Sequence, residues 1–286
     1  MISKYLKTKQ SLVESALSNC LPAPTTRPQI LHEAMRYCVL NGRIRIRPIL
    51  CIAVAETYGI DPQHALLPAI STELYHCSTL IHDDLPCMDD DDLRRGVPTC
   101  HIKFGEANAI LTGDALLVHA FQVLAQAGNP QLAIELAQAA GSTGVIAGQI
   151  EDLAAEGRTP NADLIEFIHL NKTAALIRAA IRMGAILGDA PPAELENLTL
   201  FGEKIGLAFQ IEDDILDEIS TDEILGKPSG SDQQQLKMTY PAVHGMTAAQ
   251  AAVTQLTHEA LIALNNIAAD TTILRGIAKY LVTRKF

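Results

Sequence analysis

Apolar residues recur every three or four positions through most of this chain, the spacing that gives a helix one buried face. The segments "SLVESAL", "HEAMRYCVL", "AILTGDALLVHAFQVLAQAG", "PQLAIELAQAAG", "ADLIEFIHLNKTAALIRAAIRMGAILG", "PAELENLTLFGEKIGLAFQIEDDILDEI" and "TAAQAAVTQLTHEALIALNNIA" all follow it. They are rich in Ala, Leu, Glu and Gln, residues that favour helix. Turn signals at Gly128–Pro130, Asp189–Pro192 and Ala269–Thr272 separate them. The period-two alternation of strands joined by hairpins is not found, nor is a linker, a repeat array or a low-complexity tract. One long polar loop, "GKPSGSDQQQLK" from Gly226 to Lys237, interrupts the helical pattern near the end. The pattern predicts a single all-α domain over residues 1–286, with about ten or more helices.

Composition narrows the picture. A chain of 286 residues is long enough for a large core, and 48% hydrophobic with 19% charged residues is globular. Tryptophan is absent and aromatics are only 4%, so Ala, Leu, Ile and Val must build the core. The net charge of −11 argues against general nucleic-acid binding, which needs a basic footprint, and suits a protein that holds cations. The first residues, "MISKYLKTKQSLVESAL", carry charges throughout and do not read as a signal peptide. With no uncharged apolar run of spanning length, the expected compartment is the cytoplasm. Six cysteines (Cys20, Cys38, Cys51, Cys77, Cys87, Cys100) show no CxxC pairing and read as reduced packing residues.

Two acidic clusters stand out. In "LIHDDLPCMDDDDLRRG", six of the ten residues from Asp83 to Asp92 are aspartate, directly after an apolar helix. Pro86 should end that helix and leave Asp83 and Asp84 at its C-terminus, where the helix dipole is already negative. Such crowding calls for a cation, since carboxylates about 4 Å apart repel by roughly 4 kcal/mol at an effective dielectric near 20. In "FQIEDDILDE", Asp213 and Asp217 are four apart and share one helical face. Oxygen-only clusters suit Mg²⁺. Either cluster alone could be a solvated acidic edge. Together with Arg94-Arg95, Lys172, Lys227 and Lys237 they look like a clamp for phosphate groups.

These motifs resemble the trans-isoprenyl diphosphate synthases. "LIHDDLPCMDDDDLRRG" is similar to that family's first aspartate-rich motif in its DDxxxxD form, "FQIEDDILD" to its second, DDxxD, and "GKPSGSDQQQLKMTYP" to its GKxxGxDxxxxKxTYP loop. "GQIEDLAAEG", "NKTAALIRAA" and "LRGIAKYLVTRKF" resemble further family segments. The resemblance implies an all-α terpenoid-synthase fold around an apolar cavity, usually in a homodimer, and a short-chain prenyltransferase using about three Mg²⁺. It implies that Asp83, Asp84 and Asp89 bind metal from one wall and Asp213, Asp214 and Asp217 from the other. Arg94, Lys172, Lys227 and Lys237 would contact the allylic diphosphate; Arg47, His76 and Arg95 the isopentenyl diphosphate; Thr173 and Gln210 the developing carbocation.

Two departures matter. Where the family reads GGKRxRP this chain reads "NGRIRIRP", with Ile44 in place of a lysine. Arg43 and Arg47, four apart, could share a helical face, so Arg43 is the expected replacement. Five residues before Asp83, where related farnesyl synthases carry a tyrosine floor, stands Ser78, with Thr79 beside it. The next large side chain is Tyr75, a turn deeper, which predicts room for a geranylgeranyl product, with farnesyl as the conservative assignment. Competing readings are a non-catalytic partner subunit, a class I terpene cyclase, and an HD-type phosphohydrolase built on His76 and His82-Asp83. His101, His119 and His169 read as surface or satisfied core residues. Gln149 and Asp152 match a family segment, with structural and contact roles both open.

Overall fold

A computed structural model describes residues 2–42, 44–219 and 237–283. Helices account for nearly all of its regular structure: α1 (Ile2–Cys20), α2 (Gln29–Leu40), α3 (Ile46–Thr57), α4 (Leu66–Asp83), α5 (Cys100–Phe104), α6 (Glu106–Ala125), α7 (Pro130–Ala140), α8 (Val145–Ala155), α9 (Ala162–Ile168), α10 (Ala175–Leu187), α11 (Pro192–Ile219), α12 (Tyr240–His244), α13 (Met246–Ala263) and α14 (Thr272–Thr283). The all-α expectation holds, with one local correction. Leu93–Arg94 (β1) pairs antiparallel with Val97–Pro98 (β2) in a hairpin. Two-residue strands are too short to leave an alternation in the sequence. Arg95 and Gly96 form the turn, both at positive φ (56° and 80°), as a two-residue hairpin loop requires.

Turn chemistry sets the helix ends as the sequence proposes. Asn129 caps α7, its side chain accepting from Gln131 N–H, and Pro130 takes the first helical position. Asn161 caps α9 by accepting from Leu164 N–H. Helix α4 runs along α6, α11 along α13, and α10 lies between α3 and α11. The core is aliphatic, as the composition demands. Of the largest side chains that are almost wholly buried, only Tyr75 and Phe201 are aromatic; the others are Leu and Ile. All six cysteines are free thiols, and Cys87 is exposed.

One segment departs from plain helix. The run "ADLIEFIHLNKTAALIRAAIRMGAILG" contains a π-helical turn, His169–Ala174, between α9 and α10. Such wide turns cluster at functional sites, because one extra residue re-aims the side chains that follow. Glycines on two neighbouring helices let the chain close on it. A Cβ at Gly148 of α8 would sit 2.3 Å from the Lys172 backbone nitrogen, and one at Gly206 of α11 would sit 2.7 Å from Ala174 Cα.

Candidate active site

A cavity of about 740 Å³ opens between α3, α4, α8, the π turn and α11. Pro86 and its neighbours end α4 at Asp83, and the chain doubles back so that Asp89 N–H donates to the Asp83 carbonyl at 2.8 Å. Asp83 and Asp89 line the cavity from this side, and Asp213, Asp214 and Asp217 line it from α11. Burial pushes the Asp83 carboxyl up to about 6, with Asp89 adding to the effect against the opposing pull of Lys172, Arg94 and Lys237. A carboxylate strained in this way, among oxygen-only donors, fits a hard divalent cation. Among the described residues no three acidic, imidazole or thiol groups form a ready-made cage. Mg²⁺ takes one or two carboxylates and fills its shell with water and phosphate oxygens.

Asp84 does not join this set. It is 3% exposed, does not line the main cavity, and accepts from Arg94 Nε at 2.6 Å. Burial pushes its carboxyl above the usual range, and Arg94 offsets only part of the rise. Expected to reach metal, Asp84 is instead found paired with Arg94 and off the main cavity wall, about 100° round α4 from Asp83.

The lysines meet acidic partners. Lys172, carried by the π turn, lies 2.6 Å from Asp152 of α8; Lys237 lies 2.9 Å from Asp89 and 3.7 Å from Asp152. Burial raises the Asp152 carboxyl, but Lys172 and Lys237 outweigh it and hold it below the usual range. Asp152 is thus a counter-ion shared by two site lysines, a role its sequence context left open. Lys227 and Arg43 lie outside the described residues. Helix α3 begins at Ile46 and carries Arg47. Ile44 lines the cavity, so the departure from the family lysine falls on the wall itself.

Arg47, His76 and Arg95 line the same cavity. The Arg47 Nε is enclosed with no hydrogen-bond partner. Burial lowers the Arg47 pKa, and burial with the surrounding Arg47, Arg95, Arg94 and Arg45 holds His76 well below its usual value, hence neutral. Concentrated, desolvated positive charge of this kind is an anion site. Arg45 has a different task. At φ 61° it is left-handed, fully enclosed, and paired with Glu73 at 2.7 Å. Its guanidinium packs on Gly42, where any Cβ would lie 1.7 Å from Cζ.

Thr173 donates to Gln210 Oε1 at 2.6 Å, and Gln210 donates onward to Asp214 at 2.8 Å. Of the three chain-length positions only Thr79 lines the cavity. Ser78 and Tyr75 are each 1% exposed and point into the core, the Tyr75 hydroxyl donating to the Ala140 carbonyl at 2.9 Å. The tyrosine floor proposed a turn below Ser78 is therefore not part of the wall. Thr79, four residues from Asp83, shares its face. His169 is a buried histidine beside a carboxylate, in line with a core reading, and it also lines the cavity: it is 4% exposed and its Nε2 lies 3.2 Å from Asp214 Oδ2.

An all-α fold wrapped round one cavity, lined by carboxylates of two helices and by clustered bases, defines an isoprenoid-synthase-type protein. The chain matches the polyprenyl synthetase model over residues 28–272 and belongs to that family. It is 46% identical over 264 residues to the farnesyl diphosphate synthase of Escherichia coli, covering 88% of each chain. It is 42% identical over 292 residues to the chloroplastic geranylgeranyl pyrophosphate synthase 11 of Arabidopsis thaliana, covering 98% of this chain and 81% of the relative. Among solved structures, a geranyltransferase from Helicobacter pylori, complexed with magnesium and isoprenyl diphosphate, superposes with a TM-score of 0.85 at 33% identity. That match covers 98% of this chain and 96% of the other.

Proposed function

We infer that the protein is a short-chain trans-prenyltransferase. It joins isopentenyl diphosphate to an allylic diphosphate and forms farnesyl or geranylgeranyl diphosphate with release of pyrophosphate. One observation carries the reading: a single cavity is lined by carboxylates of α4 and α11, by Lys172 and Lys237, by Arg47 and Arg95, and by an aliphatic wall. Asp83 and Asp89 on one side and Asp213 and Asp217 on the other are the residues that would hold Mg²⁺. When bound, the ions withdraw charge from the departing diphosphate. Lys172, Lys237 and Arg94 orient that diphosphate. Arg47, Arg95 and neutral His76 hold the second diphosphate, so that the alkene is placed against the allylic carbon. The Thr173 and Gln210 oxygens present fixed dipoles to the cationic carbon. Val145, Ile146, Ile150 and Leu176 exclude the water that would quench it. The proton lost in the last step passes to the departing pyrophosphate.

The working assembly in this reading is a cytoplasmic homodimer. Helix α6 is long and apolar enough to cross a membrane by length and composition. It packs along α4, however, and its outward residues Ile110, Leu111 and Val118 surround the exposed Asp114. A second copy of the chain is the occupant that suits such a mixed face. Light scattering on the purified protein tests the dimer.

The decisive experiment supplies Mg²⁺, isopentenyl diphosphate and each of dimethylallyl, geranyl and farnesyl diphosphate, followed by product-length chromatography. Pyrophosphate release that depends on isopentenyl diphosphate is expected. Release from the allylic substrate alone would show a cyclase, and no release would show a non-catalytic subunit. For Arg43, an unchanged Michaelis constant for isopentenyl diphosphate in Arg43→Ala would remove it from the second diphosphate site.

A further inference from the structure

Asp214 sits in the second acidic cluster, yet its two oxygens are already engaged. Oδ1 accepts from Gln210 Nε2 at 2.8 Å, and Oδ2 accepts from the Tyr240 backbone N–H at 2.8 Å and lies 3.2 Å from His169 Nε2. The carboxylate is 3% exposed and His169 is 4% exposed. A carboxylate has about four acceptor positions; two donors, the Gln210 amide and the Tyr240 N–H, bond to this one, and His169 Nε2 lies beside them. The imidazole ring also stacks on Tyr240, with centroids 6.3 Å apart and planes at 22°. Tyr240 opens α12, three residues after Lys237, which reaches across the cavity to Asp89. Three chain segments distant in sequence therefore meet at one carboxylate: the π turn, α11 and the entry to α12.

We propose that His169 is a positioning residue, which with Asp214 latches the start of α12 to α11 and so places Lys237, Asp214 serving as the latch and not as a metal ligand. The arrangement explains why a carboxyl group is buried here. Left unpaired, a buried carboxylate costs several kcal/mol; bonded by an amide and a backbone N–H with an imidazole 3.2 Å away, it joins elements the site needs in register. The Gln210 bond extends the same network to Thr173, so displacement of the latch moves the groups facing the allylic carbon as well as the lysine. The inference rests on the diphosphate-transfer reading for its catalytic consequence and on geometry alone for the latch.

The test uses the full chain and two readouts. In chelator, melting temperatures are measured for wild type, His169→Phe, Asp214→Asn and the double variant. Each single change should lower the melting temperature by about 4–8 °C, and the double variant should fall no further than the worse single one. His169→Gln, whose amide nitrogen can donate where Nε2 does, should recover most of the loss. The same proteins are then melted with Mg²⁺ and inorganic pyrophosphate. Asp214→Asn should keep the upward shift that Asp213→Asn loses. In the transfer assay, His169→Phe should raise the Michaelis constant for the allylic diphosphate roughly tenfold, with His169→Gln close to wild type. Additive single losses in chelator, or an unchanged metal-free melt in Asp214→Asn together with a lost Mg²⁺–pyrophosphate shift, would overturn the proposal. If wild type itself shows neither the shift nor transfer, the functional reading fails, and the metal-free melts still decide whether the latch exists.

Discussion

Replacing Asp83 by asparagine should make the metal-free protein more stable. Asp83 stands at the C-terminal end of α4, where the helix dipole is negative, and Asp89 is folded back beside it. Burial, reinforced by Asp89, pushes its carboxyl from 3.8 up to about 6 despite Lys172, Arg94 and Lys237. A raised carboxyl means that the folded chain binds more protons than the unfolded chain between about pH 4 and pH 6. Stability from this group is therefore full below about pH 4 and is lost as pH rises through about 6. At 1.36 kcal/mol per pH unit the displacement amounts to about 3 kcal/mol by pH 7.5. Asp83 is only half-buried, so solvent screening brings this nearer to 2 kcal/mol, or roughly 4–8 °C in melting temperature. The assay is thermal unfolding in chelator at several pH values. Asp83→Asn should melt higher than wild type at pH 7.5, and the gap should close by pH 4. With Mg²⁺ and pyrophosphate the order should reverse, since only wild type can use the ions. A variant no more stable than wild type in chelator at pH 7.5, or a gap that persists at pH 4, would refute the reasoning.

Other consequences follow from the cavity wall and the π turn. Thr79→Phe places a ring in the shaft on the face of Asp83; excluding one five-carbon unit at about 0.8 kcal/mol per carbon costs roughly 4 kcal/mol, so the last elongation should fall by about a thousandfold. Product chromatography reads this directly, and an unchanged length distribution would remove Thr79 from the wall. Arg47→Met should raise the Michaelis constant for isopentenyl diphosphate at least thirtyfold, the cost of losing a buried charged contact being about 2–5 kcal/mol, while the constant for the allylic partner stays within about threefold. Equal losses for both substrates would contradict the assignment. Gly148→Ala drives a methyl to within 2.3 Å of the Lys172 backbone nitrogen and should lower both turnover and melting temperature, by about 1–3 kcal/mol in stability. Unchanged turnover would mean that α8 can retreat without moving Lys172.

The helices were legible because their stabilising contacts are periodic in the sequence. Pro86 ending α4, Pro130 and Asn129 opening α7, and the long run of α11 are each read from local rules that tertiary packing leaves intact. The site was legible as a set of residue types in order. What stayed hidden depends on backbone detail without a compositional trace. The π turn looks like any helix in "HLNKTA", yet it decides where Lys172, Thr173 and His169 point. In "NGRIRIRP" the left-handed Arg45 reserves that side chain for Glu73, which no spacing rule could assign. Ser78 and Thr79 are neighbours in sequence, and only the rotation of α4 decides which one meets the cavity. Asp152 gives no local sign that two lysines share it.

The paired aspartates make the same point in energetic terms. Consecutive helical residues point about 100° apart, so the two carboxylates of a doubled aspartate meet different neighbours. At the end of α4, Asp83 lines the cavity and Asp84 is buried against Arg94; on α11, Asp213, Asp214 and Asp217 all line the cavity, and Asp214 also accepts from Gln210 and the Tyr240 N–H with His169 beside it. A buried carboxylate demands a partner, and in both pairs that partner belongs to an element the site must place: the hairpin with Arg94 and Arg95, and the turn that follows Lys237. Each "DD" thus sets a cavity-lining carboxylate next to one already engaged by protein partners. Because the second is satisfied inside the protein, it should persist in metal-free protein, whereas the first leaves Asp83 strained until a cation arrives.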